Sequence, residues 1–487
     1  MAQTNGTNAT IENRLFINNE FRNASDGKTF TVINPTNKQP VASVPEATVQ
    51  DVNDAVAAAK AAFPAWSALS VKERGVPMRK LAELIIAAND ELAYLEAISM
   101  GRPISTYFDA AFASDKFTAM SALAFTAQGK TSLNTPGFVN ITFRQPFGVV
   151  AGIIPWNAPL LFFAFKVSAA VAAGNTIVLK TSEKAPLTCA RVAAMVREAG
   201  FPPGVINVIH GHGMPSGQAL SEHMDVRCIS FTGSARTGRL IQAAAAKSNL
   251  KNVILELGGK SPAIIFPDAD LDKAVADLSI SVGLISGQMC MASSRVYVSE
   301  EIAEKFIAKY KEVFAVALKT GDPTKPDTMR GPQADEIQYK NVLKYIEMGK
   351  KSGKMILGDQ APPEYASGHF IPQTIFLDTP EDAQIMKEEI FGSVVNINTF
   401  KSEEEVLKKA NDTEYGLYAS VYTKDIDRAL RVAKAMESGT VGVNCTSPTF
   451  GEDMPFGGYK GSGVGREGTT ESLDHFLETK TVLIKIA

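Results

Sequence analysis

From about residue 147 onward, short apolar runs rich in β-branched residues alternate with longer stretches of helical spacing. The runs are GVVAGIIP, TIVLK, VINVIH, CISFTG and NVILEL, with segments such as PLTCARVAAMVREAG and TGRLIQAAAAKS between them. Continuous apolar runs of this length are typical of strands buried on both faces, and helical crossovers allow such strands to pair in parallel. The alternation therefore predicts βαβ units around a buried parallel sheet.

The rest of the chain suggests further parts. The 487 residues are too many for one hydrophobic core, so we expect two or three domains. Residues 50–99 have the apolar spacing of helices, and SRVYVSE, VVNINTF and SEEEVLKKAND indicate a second α/β series. Residues 137–146 and 479–486 alternate apolar and polar side chains as half-exposed strands do. We expect them to form a small protruding sheet whose edge a partner subunit covers.

Composition excludes several classes of partner. A formal net charge of -3 gives no broad attraction to nucleic acid or to an anionic membrane. The four cysteines form no CxxC pair, so neither a zinc site nor a redox dithiol is indicated, and their scarcity suggests a reducing compartment. The polar start has no apolar targeting region, and Lys166 interrupts the longest apolar stretch, Leu160–Ala173. We expect a cytoplasmic protein that binds no metal, nucleic acid or membrane.

Two glycine-containing segments imitate nucleotide-binding motifs. GVGREG, at 463–468, has the literal G-x-G-x-x-G spacing, but no predicted strand precedes it and too few residues follow for a βαβ unit. GKS, at 259–261, resembles a phosphate loop, but Ile254 stands where the first glycine of that loop is required. Neither segment is interpreted as a cofactor site.

Two strand ends supply better candidates for cofactor contacts. FTGSARTG follows an apolar strand and opens a helix, so Gly233 and Gly238 can admit a phosphate while Ser234 caps the helix. In VLKTSE, Lys180 and Glu183 lie where a strand leaves the carboxyl edge of the sheet. A ribose diol could donate to the Glu183 carboxylate, whose charge would repel a 2′-phosphate. An ordinary glycine-rich turn and a capped helix start remain open as alternatives.

Three polar side chains are candidates for chemistry. Glu256 lies within an apolar strand, where burial would raise the pKa of its carboxyl and suit it to act as a base, unless it forms a structural ion pair. Asn157 stands between two prolines in PWNAP and could donate to an oxyanion, or form a local turn. Cys290, in GQMCMASSR, is either a nucleophile or an inert core thiol.

Together, eight segments resemble the aldehyde dehydrogenase superfamily nearly from end to end. In chain order they are PWN (155–157), VLKTSE, FTGS, LELGGKSP, GQMCMASSR, EEIFGSVV (388–395), VNC (443–445) and PFGGYKGSGVGRE (455–467). Each segment alone is a weak signal, but their order and spacing are specific. The separation between Glu256 and Cys290 is also consistent with the base and nucleophile of that family.

The resemblance implies a mechanism. The Cys290 thiolate attacks the aldehyde carbon to form a thiohemiacetal, while Asn157 and the Cys290 backbone N–H stabilise the oxyanion. Hydride passes to C4 of the nicotinamide and leaves a thioester, from which water activated by Glu256 releases the carboxylate. A thiol suits this chemistry because the C–H hydride donor must be held covalently against the cofactor.

The resemblance also implies the cofactor and where it binds. NAD is expected and NADP stays possible. VLKTSE would hold the adenosine ribose, FTGS the pyrophosphate, and EEIFG the nicotinamide ribose and ring. The residues expected at the cofactor are Ile154, Pro155, Trp156, Lys180, Ser182, Glu183, Gly213, Gly217, Phe231, Gly233, Ser234, Leu257, Gly258, Glu389 and Phe391.

The implied fold is of the α/β class. A Rossmann-like NAD-binding domain comprises residues 1–127 and 147–257, and an α/β catalytic domain comprises residues 258–470. A small bridging β-sheet comes from residues 128–146 and 471–487. Family members are joined through that sheet, so we expect a homodimer or homotetramer.

The chain departs from the family pattern at two positions. Ala158 follows PWN where many members have a bulky aromatic residue, and Ser393 replaces a proline in EIFGP. The small Ala158 resembles members that act on aromatic aldehydes such as vanillin or salicylaldehyde, and we expect such a substrate. The expected apolar pocket consists of Ala158, Leu160, Phe162, Phe163, Met289, Met291 and Phe450.

Other functions remain as alternatives. An aliphatic aldehyde or semialdehyde dehydrogenase would use the same fold. A CoA-acylating dehydrogenase would share the thiol but generally lacks the glutamate base that Glu256 supplies. A cysteine hydrolase would need a histidine beside Cys290, and no motif joins the HGH at 210–212 to it. A non-catalytic structural protein is disfavoured because Cys290, Glu256 and Asn157 are all intact.

Overall fold

The structure is a computed structural model that describes residues 12–358, 366–468 and 470–486. The strands in this part of the chain are short, and most of those in the middle of the sheets are fully buried. They are β1 Leu15–Ile17, β2 Glu20–Arg22, β3 Thr29–Ile33, β4 Pro40–Pro45, β5 Thr131–Ser132, β6 Phe138–Pro146, β7 Val149–Ile153, β8 Thr176–Thr181, β9 Ile206–His210, β10 Val226–Thr232, β11 Asn252–Glu256, β12 Pro262–Ile265, β13 Arg295–Ser299, β14 Lys354–Leu357, β15 Thr374–Leu377, β16 Val394–Phe400, β17 Tyr418–Tyr422, β18 Thr440–Val443, β19 Gly463–Val464 and β20 Leu477–Lys485.

Several helices begin at capping residues. Thr48 and Ser70 each form a capping box at the start of a helix, and Ser234 accepts a hydrogen bond from the Thr237 N–H, as predicted. The helices are α1 Val49–Ala68, α2 Val71–Ala87, α3 Asn89–Met100, α4 Asp109–Leu123, α5 Pro159–Ala172, α6 Leu187–Glu198, α7 Gln218–Glu222, α8 Ala235–Lys247, α9 Leu271–Gly283, α10 Ala303–Val316, α11 Glu336–Ser352, α12 Gln384–Lys387, α13 Glu403–Asn411, α14 Ile426–Ala435 and α15 Thr470–His475.

The first sheet has the order β19-β11-β10-β7-β8-β9-β1-β2. Its five central strands are parallel, as their continuous apolar runs predict, whereas β19 and β1 join the two edges of this parallel set antiparallel. Following the chain, β8 and β9 are added in turn on one side of β7, whereas β10 and β11 are added in turn on its other side. The direction therefore reverses between β7 and β10, the position at which doubly wound sheets bind ligands.

The second sheet has the order β14-β15-β16-β13-β12-β17-β18 and is parallel apart from β14. The two predicted half-exposed strands are β6 and β20, which pair antiparallel along their whole length, with β5 on the other side of β6. Strands β3 and β4 form a separate hairpin. The α/β class predicted from the alternation is thus confirmed, while the domain boundaries and the bridging role of β20 stay predictions.

Candidate active site

The carboxyl ends of β7 and β10 define the candidate site. The segment from Ile154 to Asn157 leaves β7, and Gly233 and Ser234 leave β10 beside it. Glu256 ends β11, directly opposite Thr232 at the end of β10. The topology therefore brings together motifs that lie about a hundred residues apart in the sequence.

Cys290 follows a left-handed turn that needs external support. Ile285, Ser286 and Gly287 have φ values between 51° and 75°, and each non-glycine residue in that region costs on the order of 1–3 kcal/mol. Ser286 Oγ donates to the Gly331 carbonyl at 2.6 Å, which anchors the turn to a distant loop. The course of the loop before the thiol is therefore imposed by tertiary contacts.

Asn157 lies beside this loop. Its side-chain amide is 6% exposed and Nδ2 donates to the Gln288 carbonyl at 2.9 Å, two residues before Cys290. Gln288 is held in turn, because its Oε1 accepts a hydrogen bond from the Ala334 N–H at 2.9 Å. The amide is thus bonded across to the cysteine loop and does not form the local turn that we considered.

Glu256 is buried without a countercharge at its own carboxylate. It is 1% exposed, and among the described residues it forms no ion pair within 4.0 Å. Burial raises its pKa to about 8, the charge of Glu467 adds to the rise, and Lys166 opposes it. The Cys290 thiol and the Thr232 hydroxyl lower the pKa slightly, but neither carboxylate oxygen has a hydrogen-bond partner among the described residues. These features fit a general base and disfavour a structural ion pair.

Two charged residues behind Glu256 were not among the sequence candidates. The Lys166 ammonium donates to Thr232 Oγ1 at 2.7 Å and forms a tight ion pair with Glu467. Lys166 is completely buried and comes from the middle of α5, whereas Glu467 comes from the glycine-rich segment near the C-terminus. A lysine in an otherwise apolar helix was the available signal, because a buried ammonium requires a partner.

Cys290 is half-buried. Burial raises its pKa well above the ordinary value, and the carboxylates of Glu256 and Glu389 raise it further. The thiol therefore holds its proton at neutral pH until a base removes it. Glu256 is the carboxylate in contact with it.

Gly258 and Gly259 allow a close approach of three elements. A Cβ at Gly258 would lie 2.4 Å from Glu389 Oε2, and one at Gly259 would lie 2.3 Å from the Cys290 carbonyl oxygen. The Gly259 N–H donates to Glu389 Oε1 at 2.9 Å. Burial raises the pKa of Glu389 to about 7, while this hydrogen bond and Lys260 lower it. Only glycines permit this arrangement without displacing the cysteine loop.

A cleft of about 480 Å³ lies at the other end of the site, beside α8. Of the residues expected at the cofactor, Lys180, Gly213 and Gly217 line it. Other lining residues were not named from the sequence because no motif marks them; they include Ile153 at the end of β7, Met214, and Arg236, Leu240 and Ile241 of α8. The cleft is deep and partly apolar, which suits a flat aromatic base.

The VLKTSE segment contributes Lys180 to the lining of this cleft. Lys180 is buried, its Nζ donates to the Thr181 carbonyl at 3.0 Å, and burial lowers its pKa to about 8, opposed by Glu183 and Glu46. Ser182 Oγ donates to Glu183 Oε2 at 3.2 Å. Lys180 thus lines the cleft, whereas Glu183 and Ser182 are not among its lining residues, and the ribose contact of Glu183 stays a prediction.

The glycines of FTGSARTG have a packing role that we did not expect. A Cβ at Gly233 would lie 2.5 Å from the Phe231 ring, and one at Gly238 would lie 2.8 Å from the Leu257 side chain. Phe231 and Leu257, both expected at the cofactor, are thus buried against the turn. The capped N-terminus of α8 still presents its dipole to the cleft.

Trp156 and Phe391, both expected at the nicotinamide end of the cofactor, contact each other, and Trp156 also packs against the cluster that includes Met289. Their rings meet edge to face with centroids 5.4 Å apart, and the Lys184 ammonium lies 5.0 Å from the Trp156 ring. Phe391 has a left-handed φ of 61°, and its carbonyl accepts a hydrogen bond from Gln338 Nε2 at 2.7 Å. Pro155, beside Trp156, is also half-buried. The replaced proline position, Ser393, is completely buried in the following turn.

The predicted pocket residues divide into two groups. Met291 and Phe450 pack against the cluster that includes Cys290, and Ala158, Phe162 and Met289 are 6–7% exposed. Leu160 and Phe163 are completely buried in the core of the first domain. Phe112 and Phe165 were not among the predicted pocket residues. The centroid of the Phe112 ring nevertheless lies 5.9 Å from that of Phe450 and 5.1 Å from that of Phe165. Phe112 belongs to α4, which no motif connects with the thiol.

The part of the chain that the structure describes contains no cluster of three or more histidine, cysteine, aspartate or glutamate side chains that could hold a metal ion. Within the same residues, no helix is long and apolar enough to cross a membrane.

The chain is similar along most of its length to proteins of one family. Residues 21–482 match the model of the aldehyde dehydrogenase family. An aldehyde dehydrogenase of Emericella nidulans is 45% identical over 472 residues, which cover 96% of this chain and 94% of that protein. Aldehyde dehydrogenase, cytosolic 1, of Rattus norvegicus is 43% identical over 484 residues, covering 97% and 95%. A P. syringae indole-3-acetaldehyde dehydrogenase mutant, solved with NAD+ and IAA, has a TM-score of 0.96 at 36% identity and covers 98% of both chains.

Proposed function

Because the chain belongs to the aldehyde dehydrogenase family, we propose that it oxidises an aromatic aldehyde to the carboxylic acid with NAD, through covalent intermediates on Cys290. The observation that carries the proposal is that the buried Glu256 carboxyl acts electrostatically on the Cys290 thiol, while the Asn157 amide is bonded to the loop that carries this thiol. NAD supplies a hydride acceptor when bound. Everything else is done by side chains and backbone of this chain.

Cys290 acts first. Its thiol proton passes to Glu256, whose pKa of about 8 makes it a competent acceptor near neutral pH. The sulfur then bonds to the aldehyde carbon, and the carbonyl oxygen becomes the oxyanion of a thiohemiacetal. Asn157 has two N–H donors, of which one is bonded to the Gln288 carbonyl, so the second can point at that oxyanion. The Cys290 N–H is the other proposed donor.

Glu256 acts again after oxidation. Glu256 first loses the thiol proton to solvent. Its carboxylate then takes a proton from the water molecule that attacks the thioester carbon, and it returns this proton to the Cys290 thiolate as the carboxylic acid leaves. The charges of Lys166 and Glu467 both act on Glu256, and Lys166 also donates to the Thr232 hydroxyl. This ion pair therefore assists the transfer of protons to and from Glu256. Burial keeps this base protonated most of the time at neutral pH, so the rate of hydrolysis rises as the pH approaches about 8.

The cleft beside α8 fits a dinucleotide. Lys180 and Glu183 would hold the adenosine ribose, the start of α8 the pyrophosphate, and Glu389 with Phe391 the nicotinamide end. NAD+ is bound in the P. syringae structure, which supports the same cofactor here. NADP stays an alternative, and the ratio of kcat/KM with NAD to that with NADP, measured for the protein and Glu183→Gln, tests the choice. Loss of the NAD preference in the variant is expected.

An aromatic substrate is supported by the space beside Asn157. Ala158 is small and buried at the start of α5, and the rings of Phe450, Phe112 and Phe165 follow one another away from the thiol. We expect Ala158→Phe to lower kcat/KM for benzaldehyde at least about tenfold, because it fills space that the ring needs. Acetaldehyde is the internal control and should be affected less. An equal loss for both aldehydes contradicts the pocket.

NADH formation, followed by ultraviolet absorbance, tests the whole proposal. The assay uses NAD, no CoA, a panel of aromatic and alkyl aldehydes, and Cys290→Ala as the blank. A signal with aromatic aldehydes that is absent in the variant is expected. A signal with alkyl aldehydes alone, as for an aliphatic or semialdehyde dehydrogenase, overturns the substrate. A signal that appears only with CoA overturns hydrolysis by Glu256.

We also propose a homodimer or homotetramer in the cytoplasm. β20 is an edge strand of the three-stranded sheet, and Leu483, Ile484 and Phe143 on this sheet are 65%, 43% and 45% exposed. All four cysteines are free thiols, which suits a reducing compartment. Light scattering after size exclusion tests the assembly, and Leu483→Asp should lower the measured mass. A monomeric wild-type protein contradicts this proposal.

A further inference from the structure

Helix α5, which begins directly after Asn157, lacks a cap of its own. Ala158 stands at the cap position and offers no side-chain acceptor, and Pro159 has no N–H. The first hydrogen bond within the helix runs from the Phe162 N–H to the Ala158 carbonyl at 3.1 Å. The N–H groups of Leu160 and Leu161 are therefore left without partners in their own helix.

Two carboxylates from other helices face these N–H groups. Burial raises the pKa of Glu96 of α3 and of Asp109, the first residue of α4, and the nearby N–H groups of Leu160 and Leu161, respectively, oppose the rise. None of the four carboxylate oxygens has a hydrogen-bond partner among the described residues. Both side chains are completely buried. Negative charge at a helix N-terminus is favourable, and here it is supplied from outside the helix.

Arg102 holds the two carboxylates together. Its Nη1 lies 2.7 Å from Asp109 Oδ1 and 3.7 Å from Glu96 Oε2, and all three side chains are completely buried. The guanidinium also lies 4.8 Å from the centroid of the Phe108 ring. Burying two carboxylates with one cation is expensive, and hydrophobic residues of similar volume could fill the space at least as well. Overall stability therefore gives no obvious reason for such a cluster at this place.

The cluster lies next to the segment that carries the oxyanion donor. Asn157 is the second residue before α5, and its only hydrogen bond among the described residues goes to the Gln288 carbonyl in the other domain. The direction of its free N–H thus depends on where the start of α5 lies. We propose that Arg102, Glu96 and Asp109 are positioning residues that fix the start of α5 and so aim the Asn157 amide at the oxyanion. This proposal rests on the catalytic role proposed for Asn157.

The test measures the rate of NADH formation in a single turnover, with the full-length enzyme in excess over the aldehyde. The variants are Asp109→Asn, Asn157→Ala and the combination of the two. Removing an oxyanion donor lowers such a rate by about 10²–10³-fold, and misplacing it is expected to lower the rate by about tenfold or more. Without the Asn157 amide, the position of α5 no longer affects oxyanion stabilisation. The single-turnover rate of the double variant should therefore be within about twofold of that of Asn157→Ala.

Arg102→Lys and Leu15→Ala extend the test. Arg102→Lys keeps the charge but loses the planar fork, so it should also slow the single turnover if Asp109→Asn fails to fold. Leu15→Ala empties a buried position in β1, far from α5, and is the control for lost stability. It should lower the unfolding temperature without changing the rate. The NAD dissociation constant, measured by fluorescence, should stay the same in all variants.

The outcomes separate two failures. If Asn157→Ala reacts as fast as the wild type, the role proposed for Asn157 is wrong and the positioning proposal falls with it. If Asn157→Ala is slow but Asp109→Asn and Arg102→Lys keep the wild-type rate, the positioning proposal alone is overturned. It is also overturned if the losses in the double variant multiply, because independent effects on the rate do so.

Discussion

Replacing Glu256 by glutamine should stabilise the folded protein, and the gain should grow with pH. The carboxyl is 1% exposed, and its pKa rises to about 8 because of burial and the charge of Glu467, with Lys166 in opposition. Glutamine has nearly the same shape but cannot ionise. The variant therefore removes the loss of stability that comes from the ionisation of Glu256, while leaving the packing almost unchanged.

The expected size follows from the two pKa values. A glutamate in the unfolded chain ionises near 4.5, whereas Glu256 in the fold keeps its proton to about 8. The folded state binds more protons in this interval, so stability falls as the pH rises through it. At about 1.36 kcal/mol per unit, the loss is roughly 1 kcal/mol near pH 5 and roughly 3 kcal/mol near pH 7. The variant escapes this loss.

Thermal unfolding of the two proteins between about pH 5 and about pH 8 measures the effect. For a chain of 487 residues, one kcal/mol corresponds to about 1 °C if unfolding is cooperative. The advantage of Glu256→Gln should therefore grow by about 2 °C between about pH 5 and about pH 7 and level off above about pH 8. Glu312→Gln, on the exposed face of α10, is the control. An advantage that does not change with pH refutes the reasoning.

Three further outcomes are expected. The rate of thioester hydrolysis should rise with pH about a midpoint near 8 in the wild type, and a profile flat between about pH 6 and about pH 9 contradicts Glu256 as the base. Lys166→Met removes the cation that opposes protonation of Glu256, so the midpoint of this pH profile should move to higher pH. Because the variant also leaves Glu467 without its partner, the free energy of unfolding measured in urea should fall by roughly 3–5 kcal/mol. Gly259→Ala should lower NADH production at least about tenfold because its methyl group meets the Cys290 carbonyl oxygen; unchanged turnover would mean that the loop moves freely.

The central strands could be predicted because each buries both faces and so appears as a continuous apolar run. β7 and β8 are examples, with every residue buried. β19 could not be predicted. It is two residues long, lies in a glycine-rich segment, and forms only because Gly463 approaches the Leu255 carbonyl, with a φ of 151°. The segment that imitates a dinucleotide motif is thus an edge strand of the first sheet.

The site could be predicted only where a local pattern carries the information. Cys290, Glu256 and Asn157 each stand at the end of a strand or beside glycines and prolines, and the structure brings them together. Lys166 belongs to no motif, and its only signal in the sequence is a charge within an apolar helix. Its partner, Glu467, lies about three hundred residues further along the chain. Arg102 looks like an ordinary loop residue in the sequence. Pairings over such distances are fixed by the tertiary fold alone.

Trapping the covalent intermediate tests the central claim most directly. Glu256→Gln is mixed with NAD and benzaldehyde, NADH is measured, and the intact protein and its peptides are weighed by mass spectrometry. The account predicts slow NADH formation, because Glu256 also takes the Cys290 proton, that stops at about one NADH per subunit and leaves an acyl group on Cys290. Continued turnover at the wild-type rate without an adduct would contradict covalent catalysis at Cys290 with hydrolysis by Glu256.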